Sequence, residues 1–271
     1  MATASAQPGV GPLLREWRTR RRRTQLDLSL DAGISTRHLS FIETGRSTPS
    51  ADMVLLLAER LEVPFRERND LLLAAGHAPA FPERSLDDPE LAPVREALDL
   101  ILSRHEPYPA LVIDRRWNIV AANSATVALA EWIDPALLEP PVNMLRVVRV
   151  LVPRIVNLGE VRAYFVERLR RQVAFSGDQS GTALLEAMEA GAAAGSDRGR
   201  ISEAATRGIL MPVRLRGRGG RELSLFGTVA TFGTPVEVTT SELSIESFFP
   251  ADAATAEALR NLPRSDRGRD D

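Results

Sequence analysis

From Val10 to Gly76, apolar positions recur at helical spacing, broken by glycines and short polar runs. In "GPLLREWRTRRRR" the residues Leu13, Leu14 and Trp17 form one stripe against a basic face, which predicts an amphipathic helix. "TQLDLSLDA" turns Leu28 and the small Ser29 inward and ends at Gly33, where a left-handed residue closes a helix. "STRHLSFIE" starts with Ser35 as N-cap and buries Leu39 and Ile42. "SADMVLLLAERLEV" and "RERNDLLLAAG" continue the pattern, the second again closed by a glycine. Five short helices predict a compact all-α domain over residues 10–77.

The pattern then changes. Residues 78–90, "APAFPERSLDDPE", carry prolines and charges and read as a linker. "LAPVREALDLILSRHE" is an amphipathic helix with Leu91, Val94, Leu98 and Ile101 in one stripe. "YPALVIDRRWNIVAANSATVALAEW" reads strand, tight turn, strand, helix, with Trp117 in the core and Asn123 as a turn or N-cap residue. Residues 142–190 are mostly helical, "EVRAYFVERLRRQV" being the clearest segment, and "AGAAAGSDRGR" reads as a loose loop. "ILMPVRLRG", "RELSLFGTVATFG" and "TPVEVTTSELSIESFF" read as strands, with a hairpin turn at "GRGGRE". Residues 91–262 are therefore expected to form an α+β domain in which strands from both ends share one sheet. Residues 1–9 and the tail 263–271 are expected to be disordered.

Composition narrows the chemistry. At 271 residues the chain has room for two ordinary domains. No run approaches the roughly 18 apolar residues of a membrane helix, and the first residues lack the apolar core of a signal peptide. A cytoplasmic protein without membrane insertion is expected. With no cysteine and only His38, His77 and His105, far apart, neither a metal site nor a His-based triad is expected. No glycine-rich phosphate loop follows a strand. An enzyme, catalytic residues and a cofactor are accordingly not expected.

The net charge of −2 hides an uneven distribution: residues 15–23, "REWRTRRRR", hold six arginines. All 34 basic residues are arginine and none is lysine, so the clustering carries information and the choice of arginine does not. The run "RRRR" supplies backbone affinity at best.

Two helices joined by a glycine turn, the second opening on small polar residues, make a helix-turn-helix. A helix fits the major groove of DNA, and its N-terminal residues reach base edges while the preceding helix crosses the backbone. Gly33 permits the turn and Ile34 plugs the joint. Leu39 and Ile42 pin the third helix, which leaves Thr36, Arg37 and Ser40 outward. Arg46 and Ser47, in the loop that follows, are placed to touch phosphate. A plain helical hairpin shares the apolar spacing, so the pattern by itself only favours DNA.

The strings "QLDLSLDAGIS", "ETGRSTPS" and "LLLAERLEV" resemble the phage-repressor-like (Xre) helix-turn-helix family almost position by position. The resemblance implies that Gln25 anchors on a phosphate and that Thr36 and Arg37 read bases, with Ser40 or Phe41 as further candidates. It also implies a buried ion pair between Arg18 and Glu43. Ser29 departs from the alanine usual in the family and remains small.

"LLAAGHAPAFPERSLDD", "HEPYPALVIDRRWNIVAAN", "NMLR", "PRIVN" and "FGTPVEVTTSELSIESFFPAD" resemble the MmyB-like transcriptional regulators across nearly the whole chain. The resemblance implies a PAS-like ligand-binding domain after the helix-turn-helix, with a fatty acid or lipid-like effector in an apolar tunnel. A carboxylate there would call for arginine and amide donors. Asn143 with Arg146, and Arg154 with Asn157, have the spacing to supply them, or else to cap helices and tie loops to the sheet. Two departures stand near the expected pocket: the 147–152 connection is short, and Val161 replaces a common aromatic.

The expected function is thus a regulator that binds a palindromic double-stranded operator as a homodimer and senses a small apolar effector. The alternative is a DNA-binding regulator whose second domain dimerises or binds a protein, without a small ligand.

Overall fold

The structure, a computed structural model, describes residues 9–130, 133–176, 212–217 and 220–262. The expectations for residues 1–8, for "AGAAAGSDRGR" and for the tail 263–271 lie outside them. The described residues form two compact units, one built chiefly on residues up to Glu83 and one on residues from Arg84 onward.

The first unit is five helices: α1 (Val10–Arg20), α2 (Gln25–Asp31), α3 (Thr36–Glu43), α4 (Ala51–Arg60) and α5 (Phe65–Ala74). Leu14, Leu28, Leu39, Ile42, Val54 and Leu57 are fully buried in one cluster. Burial of each such side chain stabilises by about 1.5–3 kcal/mol. Side-chain caps set the starts of three helices. Thr24 forms a capping box with Asp27, Ser35 accepts from the His38 amide, and Ser50 accepts from the Met53 amide. Gly11 in α1 was not singled out by the hydrophobic pattern. A Cβ there would lie 2.4 Å from the Ile42 carbonyl oxygen and 2.7 Å from that of Glu43. Only glycine lets α1 approach the end of α3 so closely.

Residues 78–90, expected as a linker, are tied down at both ends. Asn69 Oδ1 accepts from the Ala80 and Phe81 amides, each at 3.0 Å, and its Nδ2 donates to the Phe81 carbonyl at 2.7 Å. Phe81 stacks on Phe65 with ring centroids 4.3 Å apart, and Arg66 pairs with Glu83. Proline and charge content signalled absence of helix here, which is compatible with a fixed, extended segment. Further along, the Thr239 hydroxyl donates to the Arg84 carbonyl at 2.6 Å, and residues Pro89–Leu91 form a 3-10 turn.

The second unit is an α+β domain. Its strands are β1 (Ala110–Ile113), β2 (Ile119–Ala122), β3 (Val213–Arg216), β4 (Glu222–Ala230) and β5 (Ser244–Pro250). They make one antiparallel sheet in the order β2-β1-β5-β4-β3. The first hairpin therefore joins the last strand directly, Val112 opposite Ile245 and Leu111 opposite Glu246.

Helix α6 (Ala92–Arg104) packs Leu98 and Leu102 on one face of the sheet, against Ala110, Val112 and Ile245. Ile101, expected in that stripe, is exposed and Leu102 takes its place. At 100° per residue Leu102 falls nearer than Ile101 to the line through Leu91, Val94 and Leu98. Helices α8 (Met144–Leu151) and α9 (Leu158–Ser176) cover the other face, after α7 (Ser124–Ala130).

"TPVEVTTSELSIESFF" is not one strand. Residues Val238–Ser241 form a short helix, α10, and only Ser244–Pro250 join the sheet. The β-branched residues that suggested a strand are used in tertiary contacts: Val238 is fully buried and Thr239 is bonded to Arg84. Helix α11 (Ala253–Arg260) closes the unit; its buried Thr255 accepts the Ser224 amide of β4.

Candidate functional site

The α2–α3 pair is built around a left-handed glycine. Gly33 has φ +66°, and the chain reverses there with the Ile34 amide donating to the Ser29 carbonyl at 2.9 Å. Ser29 is buried between the two helices, and its hydroxyl lies 3.0 Å from that of Thr36. Leu39 and Ile42 hold the opposite side of α3 in the core. Thr36 and Arg37 are exposed at the start of α3, and Ser40 is half-buried one turn on.

Glu43, buried at the end of α3, organises the base of this pair. It accepts Arg18 Nε at 2.6 Å and Nη2 at 2.9 Å, a bidentate contact, and Gln25 Nε2 at 2.8 Å. Its hydrogen bonds hold the Arg18 guanidinium above its ordinary pKa. Gln25 thus spends one amide hydrogen on Glu43 and keeps a second for an outside acceptor.

Phe41 organises the outer edge. The Arg37 guanidinium sits 5.3 Å and that of Arg46 5.9 Å from its ring centre. The Phe41 carbonyl also accepts the Arg46 and Ser47 amides at 2.8 and 3.2 Å. An aromatic on the polar side of α3 was the available signal for this role.

The arginine run is used differently from its first appearance. Arg20 pairs with Glu16, Arg21 donates to the Leu61 and Glu62 carbonyls, and Arg23 reaches the Arg60 carbonyl and Asp31. Arg21 and Arg23 cap the C-terminal end of α4, where cations are favoured.

In the second unit, a cavity of about 180 Å³ lies between the sheet and α7, α8 and α9. Leu111 and Phe248 line it from the strands, Val148 and Leu151 from α8, and Val161 and Phe165 from α9. The short 147–152 connection is helical and contributes Val147, Val148 and Leu151 to a wall, and buried Val161 lines the cavity from α9. Among the described lining residues only Thr126 carries a polar side-chain atom, and its hydroxyl lies 2.9 Å from the Ala110 carbonyl and 3.0 Å from Asn123 Oδ1.

None of the four residues expected to hold a carboxylate lines this cavity. Asn143 caps α8, accepting the Leu145 amide at 3.1 Å and donating to the Arg116 carbonyl at 2.8 Å. Asn157 is buried, donating to the Pro212 carbonyl at 2.8 Å and accepting the Arg214 amide at 2.9 Å. Arg154 points to the Arg216 carbonyl, and Arg146 is exposed on α8. The physical reason is accounting for backbone groups: Asn143 serves the start of α8 and the β1–β2 turn, and Asn157 ties the segment before α9 to the start of β3.

Residues 94–262 match the family described as the MmyB-like transcription regulator ligand binding domain, and residues 14–68 match a helix-turn-helix family. The chain belongs to the MmyB-like transcription regulators. The regulator is also 38% identical over 103 residues to the uncharacterized HTH-type transcriptional regulator RghRB of Bacillus subtilis (strain 168). That match spans 38% of this chain and 66% of the relative, just under two thirds. A solved RNA-binding light-oxygen-voltage receptor aligns over 96% of the regulator and 64% of its own chain, at 16% identity. Its TM-score of 0.26 is too low to bear on the fold. No helix among the described residues is long and apolar enough to cross a membrane.

Proposed function

We propose that the regulator binds a palindromic double-stranded operator as a homodimer and that a small apolar effector in the second unit's cavity controls this binding. The observation that carries the DNA part is the exposed Thr36–Arg37 step at the start of α3, with Gln25 held by Glu43 beside it. A helix start presented this way suits base edges, and a glutamine amide at the start of α2 suits a phosphate. Arg46 and Ser47 extend the phosphate contacts from the following loop.

The cavity supports the effector part. It is concave, apolar and bounded by three helices and the sheet, the usual character of a small-molecule site. Its lining suits the hydrocarbon portion of the fatty acid that the family resemblance implies. An effector shifts the regulator between states only if it binds them with different affinity.

Fluorescence anisotropy with fragments of the regulator's own promoter tests the reading. Binding should weaken steeply with salt and fall in Arg37→Ala and Gln25→Ala. Absence of any sequence preference at low salt would refute it. Native mass spectrometry of the purified regulator separates an effector-loaded second unit from one that acts only as a dimerising or protein-binding module.

A further inference from the structure

We infer that Thr36 reads its base edge purely as a hydrogen-bond acceptor, so that the regulator selects a base amine, adenine N6 or cytosine N4, where α3 enters the major groove. The inference rests on the proposed DNA reading by α3 and names the chemistry of one contact within it.

Two short contacts settle where two hydrogens go. The Ser29 hydroxyl lies 2.9 Å from the Leu26 carbonyl oxygen and 3.0 Å from the Thr36 hydroxyl. Each hydroxyl carries one hydrogen and accepts with its lone pairs. A carbonyl only accepts, so the contact with Leu26 takes the hydrogen of Ser29. Were that hydrogen turned to Thr36, two acceptor oxygens would face each other at 2.9 Å with nothing between them. The contact between the two hydroxyls therefore takes the hydrogen of Thr36. Ser29 is 1% exposed, and water cannot take over either of its contacts.

Thr36 itself is exposed at the start of α3. Its hydrogen points inward to Ser29, and only lone pairs face outward. In the major groove, adenine N6 and cytosine N4 donate, whereas guanine O6, thymine O4 and the purine N7 atoms accept. The amines can bond Thr36; the acceptors would meet it lone pair to lone pair. Ser29→Ala would release the Thr36 hydrogen and, with it, the preference.

Selection by the full-length regulator from a double-stranded pool with a randomised core yields its preferred site. Comparison with Thr36→Val locates the base pair that Thr36 reads, and Thr36→Ala serves if that variant does not fold. At that pair, replacing adenine by purine or cytosine by 2-pyrimidinone removes only the amine. This should weaken binding by about threefold to tenfold, the loss of one hydrogen bond, and leave Thr36→Val unaffected. Exchanging an A·T pair for G·C, or the reverse, puts a carbonyl oxygen in the amine's place and should cost the regulator at least as much. Ser29→Ala should tolerate that exchange within about twofold, since the freed hydroxyl turns to donate. Insensitivity of the regulator to amine removal, or an equal cost of the exchange in Ser29→Ala, would overturn the inference and leave DNA reading by α3 standing. A site in which no base pair depends on Thr36 would do the same. If the pool yields no preferred site, the inference and the DNA reading fail together.

Discussion

Gln25 Nε2 donates to Glu43 Oε2 at 2.8 Å, which ties the first residue of α2 to the last residue of α3. The contact pre-sets the amide proposed to meet the DNA backbone, and it lies at the edge of a pair that is already complete. Gln25→Ala should therefore leave the fold intact while weakening operator binding by about tenfold, the loss of one charge-assisted hydrogen bond of about 1.5 kcal/mol. Gln25→Glu should weaken it more, since a carboxylate would face both Glu43 and phosphate. Anisotropy titrations alongside thermal melts check both; equal losses of melting temperature and affinity would contradict the assignment.

Arg18 behaves differently because its partner is buried. Its side chain is 12% exposed and that of Glu43 only 2%. Arg18→Ala strands the carboxylate and should cost about 3–5 kcal/mol of stability in chemical denaturation. The double replacement Arg18→Met with Glu43→Leu removes both charges and should recover most of that loss. Failure of the double variant to recover would mean that the pair contributes more than the desolvation balance allows.

Arginines inside and outside the run should separate by salt dependence. Arg37 and Arg46 are exposed over Phe41, whereas Arg21 and Arg23 donate to carbonyls at the end of α4. Each phosphate contact contributes about 0.9 to the slope of log affinity against log salt. Replacing Arg46 by alanine should reduce that slope by about one. Arg21→Ala should leave the slope unchanged and lower the melting temperature instead. A reduced slope for Arg21→Ala would restore the run to the DNA interface.

The first unit was legible because its code is local. Caps at Thr24, Ser35 and Ser50, the left-handed Gly33 and the helical stripes all act within a few residues of one another. The same locality made the arginine run misleading, since the carbonyls that Arg21 and Arg23 reach at the end of α4 lie about forty positions away in the chain. In the second unit, strand pairing from both ends was readable from hydrophobic runs. Which polar residues face the cavity was not: Asn143 and Asn157 have the composition of a carboxylate site, and only the paths of the segments before α8 and α9 show that backbone groups take them. Val238–Thr240 failed for a related reason, tertiary contacts overriding the β-branched preference.

Gly11 is a sharp test of packing that no periodicity reveals. Its missing Cβ would sit 2.4 Å from a backbone oxygen of α3, well inside contact distance, and the atoms it meets are backbone rather than a flexible side chain. Gly11→Ala gains helix propensity of about 1 kcal/mol and should nonetheless destabilise the unit, by about 1–3 kcal/mol as an overpacked core site. Because α3 is the element displaced, operator affinity should fall together with stability. Thermal melts and anisotropy on the same variant decide this; a stabilised Gly11→Ala would mean that the α1–α3 approach is looser than 2.4 Å implies.

Asn157 distinguishes a structural amide from a ligand contact. It satisfies the Pro212 carbonyl and the Arg214 amide at once, both at the start of β3, from a position just before α9. Asn157→Leu removes both hydrogen bonds to these part-buried backbone groups and should destabilise by about 0.5–1.5 kcal/mol for each. Asn157→Asp keeps the acceptor for the Arg214 amide but sets a carboxylate against the Pro212 oxygen, so it should also destabilise, most strongly above the carboxyl pKa. Its stability should rise as pH falls through that value and the protonated acid regains a donor. Urea denaturation from pH 7 to pH 4.5 reads this. A ligand-contact role predicts the opposite pattern, with unliganded stability unchanged in both variants and effector affinity alone reduced.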